Sequence, residues 1–179
     1  MADVNLTASV IHSASTDIRP KDEAAFDMIE LLFFAYRDFV ADADEILSKF
    51  AFGRAHHRVL HFINRNPGMK VAELLDILKI TKQSLGRVLK QLIDEGYVEQ
   101  KEGATDRRQR LLFVTARGEA LALRLAGLQS ARIGRALACL GSGDHDTARR
   151  FLVAMLDPGQ RDGVLRLVDR ADPARRRRL

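Results

Sequence analysis

The sequence predicts a mainly α-helical chain with a small β-hairpin near its middle. Apolar residues recur at helical spacing over most of residues 22–170. Two short β-like runs, 97–101 and 110–114, flank a loop that contains Gly103, Asp106, Arg107 and Arg108. Directly before them, residues 82–95 form a helix-like segment whose outward side chains are polar and cationic. A helix able to lie in a major groove, followed by a hairpin whose arginines reach the neighbouring minor groove, is the anatomy of a winged helix-turn-helix.

Each element rests on local signals. Residues 1–21 lack periodicity and read as a flexible arm. Over residues 22–50, Phe26, Ile29, Phe33, Tyr36, Val40, Ala43 and Leu47 alternate steps of three and four, a coiled-coil-like seam. Met28, Leu32, Ala35, Phe39 and Ile46 form a second stripe beside it, so this helix wants two partners, its own domain and another subunit. Residues 54–64 read as a short helix burying Val59, Leu60, Phe62 and Ile63, followed by the turn Asn66-Pro67-Gly68. A third helix over 70–78 turns Val71, Leu74, Leu75 and Leu78 inward. After a tight corner at Lys79-Ile80, Thr81 caps a fourth helix with Leu85, Val88, Leu89, Leu92 and Ile93 as its buried stripe, and Gly96 ends it. Past the hairpin, Thr115 caps a long helix from 116 to about 140, broken by Gly141 to Gly143. An amphipathic helix over 146–156, stopped by Asp157-Pro158-Gly159, and a short one over 164–168 complete the chain. The expected organisation is an N-terminal dimerisation helix (22–50), a winged DNA-binding domain (51–115), C-terminal dimerisation helices (116–170) and a basic tail (171–179).

Charge is distributed unevenly. Residues 1–48 hold 3 Lys/Arg against 10 Asp/Glu, residues 49–118 hold 14 against 7, and residues 119–179 hold 12 against 7, four of the twelve being Arg175 to Arg178. The positive field thus coincides with the helix-turn-helix and wing, where a phosphate backbone would dock. No apolar run approaches the roughly 18–20 residues of a membrane span, and the N-terminus carries no secretory pattern. With a single cysteine, Cys139, an internal disulfide is excluded and a cytoplasmic setting is the simplest expectation.

Taken in order, the buried Val59-Leu60, Val71-Ala-Glu-Leu-Leu75, the Ser84-containing helix, Leu92-Ile-Asp-Glu-Gly-Tyr-Val98, Asp106-Arg-Arg-Gln-Arg110 and Phe113-Val-Thr-Ala-Arg-Gly118 resemble the MarR family of bacterial transcriptional regulators, over roughly residues 25–160. Phe113-Val-Thr departs mildly from the family's usual strand end. The resemblance implies a symmetric homodimer, N- and C-terminal helices interlocked beneath two winged domains, binding pseudo-palindromic double-stranded DNA and responding to small molecules or oxidants.

Candidate DNA contacts are Thr81, Lys82, Gln83, Ser84, Arg87 and Lys90 on the recognition segment 81–95, with Gln91 reaching the backbone. Gln pairs with adenine and Arg with guanine, whereas Ser and Lys mostly hold phosphates. In the wing, 102–109, the resemblance aligns Arg108 with the tip arginine and Asp106 with the aspartate that orients it. Arg107 and Arg110 are either second contacts or strand-flanking solvated charges. By the same analogy Phe33, Tyr36, Arg37 and His57 line a pocket for a small aromatic or anionic effector. His57 and His61 have the spacing of a helical metal pair, but zinc sites need three or four ligands and no further set is evident, so no metal or cofactor is expected. Cys139 reads as a small buried hydrophobe, a redox role requiring an exposed thiol of lowered pKa. No nucleophile with a base, phosphate-cradling glycine loop or paired acidic motif points to an enzyme. The leading expectation is a DNA-binding regulator, a repressor by default; the competing one is a winged-helix adaptor for protein contacts without specific DNA binding.

Overall fold

In the computed structural model, the described residues are 23–103, 109–141 and 144–171. They comprise α1 (Glu23–Ser48), α2 (Arg54–Arg65), β1 (Met69–Lys70), α3 (Val71–Leu78), α4 (Lys82–Asp94), β2 (Val98–Glu102), β3 (Arg110–Val114), α5 (Ala116–Ala138), α6 (Asp144–Ala154) and α7 (Pro158–Arg170). The expected arm lies outside these residues, as do Asp106, Arg107, Arg108 and the run Arg175 to Arg178. The chain divides into two units, Met1–Tyr36 and Arg37–Leu179.

In the first unit, the amino-terminal part of α1 exposes Phe26, Met28, Ile29, Leu31, Leu32, Phe33, Phe34 and Tyr36. The second unit holds the core. Val59, Leu60 and Ile63 of α2 are wholly buried, and α2 packs against α3, α4, α5 and β3. Ala43 and Leu47 of α1, Leu74 of α3, Leu85 and Leu92 of α4, Leu112 of β3 and Leu125 of α5 complete the same cluster. The long seam expected along α1 therefore does two jobs: its carboxy-terminal part belongs to this core, and its amino-terminal part presents an apolar surface.

The antiparallel sheet has the order β1-β3-β2. Met69 stands opposite Leu112, and Val98, Gln100 and Glu102 stand opposite Val114, Leu112 and Arg110. The turn expected at 66–68 is present: Gly68 has φ +83° and its N–H donates to the Leu112 carbonyl at 2.8 Å. The two residues after this turn depart from the expected helix over 70–78. Met69 and Lys70 form a strand, and α3 starts at Val71. A two-residue strand is too short to carry periodicity. The Glu73 carboxylate accepts from the Lys70 N–H at 2.7 Å, fixing the start of α3.

The carboxy-terminal helices also differ from expectation. Asp157-Pro158-Gly159 ends one helix but begins another: Asp157 accepts from the Gly159 N–H at 2.8 Å and proline occupies the first helical turn, where its missing N–H costs nothing. Consequently α7 runs from Pro158 to Arg170, not over 164–168 alone.

One junction ties α4, β2 and α5 together. Gly96 takes φ +73°, reversing the chain after α4. Tyr97 is 1% exposed and meets Phe52 and Phe50 edge-on, with ring centroids 5.1 and 6.1 Å away. Thr115 donates its hydroxyl to the Gly96 carbonyl at 2.7 Å and its N–H to the Tyr97 carbonyl at 3.1 Å, while accepting from the Gly118 N–H at 3.1 Å as the cap of α5. A methyl at Gly118 would lie 2.0 Å from the Tyr97 carbonyl oxygen, so only glycine lets α5 sit against this turn. Gly118→Ala is expected to lower stability by about 3 kcal/mol, the upper range for overpacking, read as a shift in urea midpoint with unchanged slope.

Candidate nucleic-acid interface

The corner between α3 and α4 is made by Lys79, which takes the left-handed conformation (φ 51°) and returns its N–H to the Leu75 carbonyl at 2.9 Å. Thr81 then caps α4: its hydroxyl oxygen accepts from the Ser84 N–H at 3.1 Å and its O–H donates to the Ser84 hydroxyl at 2.9 Å. Leu85, Val88, Leu89 and Leu92 point into the core. That fixes the rotation of α4 and leaves Lys82, Gln83, Ser84, Gly86, Arg87 and Lys90 exposed on the other side.

These exposed groups are not equally available. Thr81 and Ser84 satisfy each other, so the first role of both is to start the helix. Lys90 pairs with Asp94 one turn on. Among the described residues no carboxylate pairs with Lys82 or Arg87. The amino-terminal half of α4 therefore carries, beside Gln83, two cations with no carboxylate partner among the described residues.

Gln91 is the residue expected to reach the DNA backbone. It is partly buried and engaged within the fold. The His56 Nδ1 accepts the Gly53 N–H at 3.1 Å, which leaves the proton on Nε2. That Nε2–H donates to Gln91 Oε1 at 2.9 Å, and Gln91 Nε2 donates to Glu95 Oε1 at 3.0 Å. His56 also stacks on Phe52, ring centroids 4.7 Å apart. This relay pins the carboxy-terminal half of α4 to the start of α2. Arg117 of α5 adds a second hold, donating to the Glu95 carbonyl at 2.8 Å while its guanidinium lies 4.2 Å from the Tyr97 ring centroid. Neither was visible in the sequence, because the partners lie 35 and 22 positions apart.

In the hairpin, the Gly103 N–H donates to the Gln109 carbonyl at 3.0 Å and closes the base of the tip. Arg110 stands opposite Glu102 and donates to its carboxylate at 2.9 Å. Asp106, Arg107 and Arg108 lie outside the described residues.

Phe33 and Tyr36 belong to the first unit and are exposed. Arg37 donates to Asp38 at 2.9 Å, and His57 is 8% exposed within the core of the second unit. Cys139 ends α5 and is exposed, contrary to the expectation of a buried thiol. Among the described residues, no group of three or more His, Cys, Asp or Glu side chains is placed to hold a metal ion. No helix of the described residues is long and apolar enough to cross a membrane.

A capped recognition helix, a tight corner and a two-stranded wing packed on a common core define a winged helix-turn-helix protein. Comparison with known proteins agrees. A family model described as MarR family matches residues 52–109. The HTH-type transcriptional regulator PetP of Rhodobacter capsulatus is 46% identical over 140 residues, covering 78% of this chain and 84% of the relative. The HTH-type transcriptional repressor Rv2887 of Mycobacterium tuberculosis is 32% identical over 93 residues, covering 52% and 67%. Among solved structures, FabT of Streptococcus pneumoniae in complex with DNA superposes with a TM-score of 0.65 at 16% identity, covering 73% of this chain and 94% of that one. Rv2887 in complex with p-aminosalicylic acid superposes with a TM-score of 0.51 at 27% identity, covering 69% and 93%. This chain belongs to the MarR family.

The α2 histidines make stability pH-dependent. Burial lowers the His57 pKa below its ordinary 6.5, with His61 adding to the depression and Asp44 opposing it. Burial and then Arg65 lower that of His61. The unfolded chain therefore takes up protons first as pH falls, so this stability is complete above about pH 6.5 and is lost as pH drops toward the lower folded values. The melting temperature should hold steady from about pH 8 to 7 and fall below about pH 6.5. In His57→Gln that fall should be shallower.

Proposed function

We infer that this protein is a homodimeric, sequence-specific DNA-binding transcriptional regulator. It engages a pseudo-palindromic operator through the recognition segment 81–95 and the wing 102–109. The carrying observation is the exposed amino-terminal half of α4, where Lys82, Gln83 and Arg87 project from a helix whose rotation and carboxy-terminal end are fixed by the core, His56 and Arg117. Helix-turn-helix proteins read base edges with this part of the recognition helix, and cations beside it supply the salt-dependent attraction to phosphates.

Assembly as a dimer accounts for apolar surface that a single chain leaves in water. In the first unit, eight large apolar side chains between Phe26 and Tyr36 are exposed. In the second, Ile133, Leu140, Phe151, Leu152, Met155 and Val168 are exposed on α5, α6, α7 and the turn residues that follow α5 and α6. Surface of this kind marks an interaction site. Repression is the proposed mode, supported by the similarity to Rv2887, named a repressor. Relief by a small aromatic acid is supported by the Rv2887 complexes with p-aminosalicylic and salicylic acid. Phe33, Tyr36, Arg37 and His57 remain the proposed effector residues, and the protein is proposed to act in the cytoplasm without a catalytic role of its own.

A titration against DNA from upstream of its own gene, at two salt concentrations beside a scrambled duplex, tests the regulator. Tight binding that exceeds the scrambled control and weakens steeply with salt is expected. Failure to bind either duplex would favour the protein-interaction adaptor. Arg87→Ala should cost about 1–3 kcal/mol of operator binding and relax discrimination at its base pair, with an unchanged sedimentation coefficient showing that the dimer is intact.

A further inference from the structure

The relay from His56 to Glu95 puts a titratable ring between the core and α4. His56 is the third residue of α2, and its imidazole makes two hydrogen bonds at once. Nδ1 accepts the Gly53 N–H at 3.1 Å at the start of α2, and the Nε2–H donates to Gln91 Oε1 at 2.9 Å. Stacking on Phe52 holds the ring in that plane, with centroids 4.7 Å and planes 11° apart. Phe52 is itself buried and meets Tyr97 edge-on. Gln91 then passes the hold to Glu95, the cap at the carboxy-terminal end of α4.

Both bonds of the ring require one protonation form. An Nδ1 that accepts carries no proton. A second proton turns Nδ1 into a donor that faces another donor, the Gly53 N–H. It also places a positive charge in the first turn of α2, where the helix dipole is already positive and no acidic residue stands. The charged groups around the relay are Glu95 of α4, Arg117 of α5 and the pair of Arg54 of α2 with Asp44 of α1. Glu95 meets Gln91 and not the imidazole, Arg117 donates to the Glu95 carbonyl, and Asp44 is engaged by Arg54. Among the described residues, none of them accepts a hydrogen bond from Nδ1.

We propose that His56 is a positioning residue for sequence reading: neutral, it holds the carboxy-terminal half of α4 through Gln91, and doubly protonated it lets that half go, so specific DNA binding weakens in acid. This rests on the reading that α4 is the recognition helix. The Thr81 cap and the corner at Lys79 still anchor the other end, so α4 tilts and does not unfold. Tilting displaces base-reading side chains such as Gln83 and Arg87 but leaves the cations of α4 free to attract phosphates. The loss therefore falls on discrimination between sequences. Histidine is the side chain whose charge ordinarily changes between about pH 5 and 8, and apparent affinity falls with the fraction of protein left in the competent form.

The test titrates DNA from upstream of the protein's own gene, and a random-sequence duplex, at about pH 7.5 and about pH 5.5. The unaltered protein should bind the upstream DNA about tenfold more weakly at the lower pH, with a smaller loss on the random duplex. Glutamine offers an amide acceptor and donor in place of the ring nitrogens and does not titrate. His56→Gln should therefore bind the upstream DNA alike at both pH values. His56→Ala should bind it about tenfold more weakly at the higher pH and no more weakly at the lower one. The other histidines titrate in all three proteins, so the differences between them isolate His56. Should His56→Ala fail to melt cooperatively, Gln91→Leu, which leaves the Gly53 bond intact, takes its place with the same expectation. An acid loss in His56→Gln as large as that of the unaltered protein would overturn the proposal. So would full affinity of His56→Ala or Gln91→Leu at the higher pH, or an acid loss of equal size on both duplexes. No preference of the unaltered protein for the upstream DNA at the higher pH would instead defeat the DNA-reading assignment on which the proposal rests.

Discussion

The winged domain depends on the turn at Tyr97. Its ring is buried among Phe50 and Phe52, its carbonyl accepts from Thr115 and presses on Gly118, and its face carries the Arg117 guanidinium. The turn is thereby the end of α4, the beginning of β2 and the seat of α5 at once. Burying a tyrosine without water demands that its neighbours exclude solvent from every side. Here those neighbours come from the α1–α2 connection, the α4–β2 turn and α5. Recognition helix and wing are consequently referred to one fixed point.

That fixed point explains how α4 can carry so many polar groups and still be held in one orientation. Its inward stripe of Leu85, Val88, Leu89 and Leu92 gives the rotation. The Thr81 cap defines where it begins, and the Gln91 and Glu95 contacts hold where it ends. Polar residues that look alike in sequence thereby divide by function. Ser84, Lys90, Gln91 and Arg110 are partnered inside the protein, whereas Lys82 and Arg87 have no carboxylate partner among the described residues.

The helices, the corner at Lys79, the caps Thr81 and Thr115 and the hairpin were legible because each rests on local rules: periodicity, capping chemistry and turn residues. Three features were not. The strand β1 has two residues and gains its identity only from pairing with Leu111 and Leu112 of β3. The start of α7 was hidden because proline and glycine at 158 and 159 signal a break as strongly as they allow a helix to begin. The His56–Gln91–Glu95 relay joins side chains that are 35 positions apart and meet only once α2 and α4 have packed together. The strands of the wing follow from the sequence to within a residue, whereas the Arg110–Glu102 ion pair follows only from the hairpin's register.

The close seat of Gly118 on Tyr97 also has a mechanical meaning. With backbone against backbone at that contact, α5 cannot pivot independently of α4 and β2, so the helix behaves as a rigid handle on the reading head. Its 23 residues span about 35 Å at 1.5 Å per residue. A tilt of about 5° imposed on the far end would therefore carry through as a matching tilt of α4, and over that length it amounts to about 3 Å of travel. Motion at the far end of α5 is therefore passed on to α4 rather than absorbed at the Gly118–Tyr97 contact.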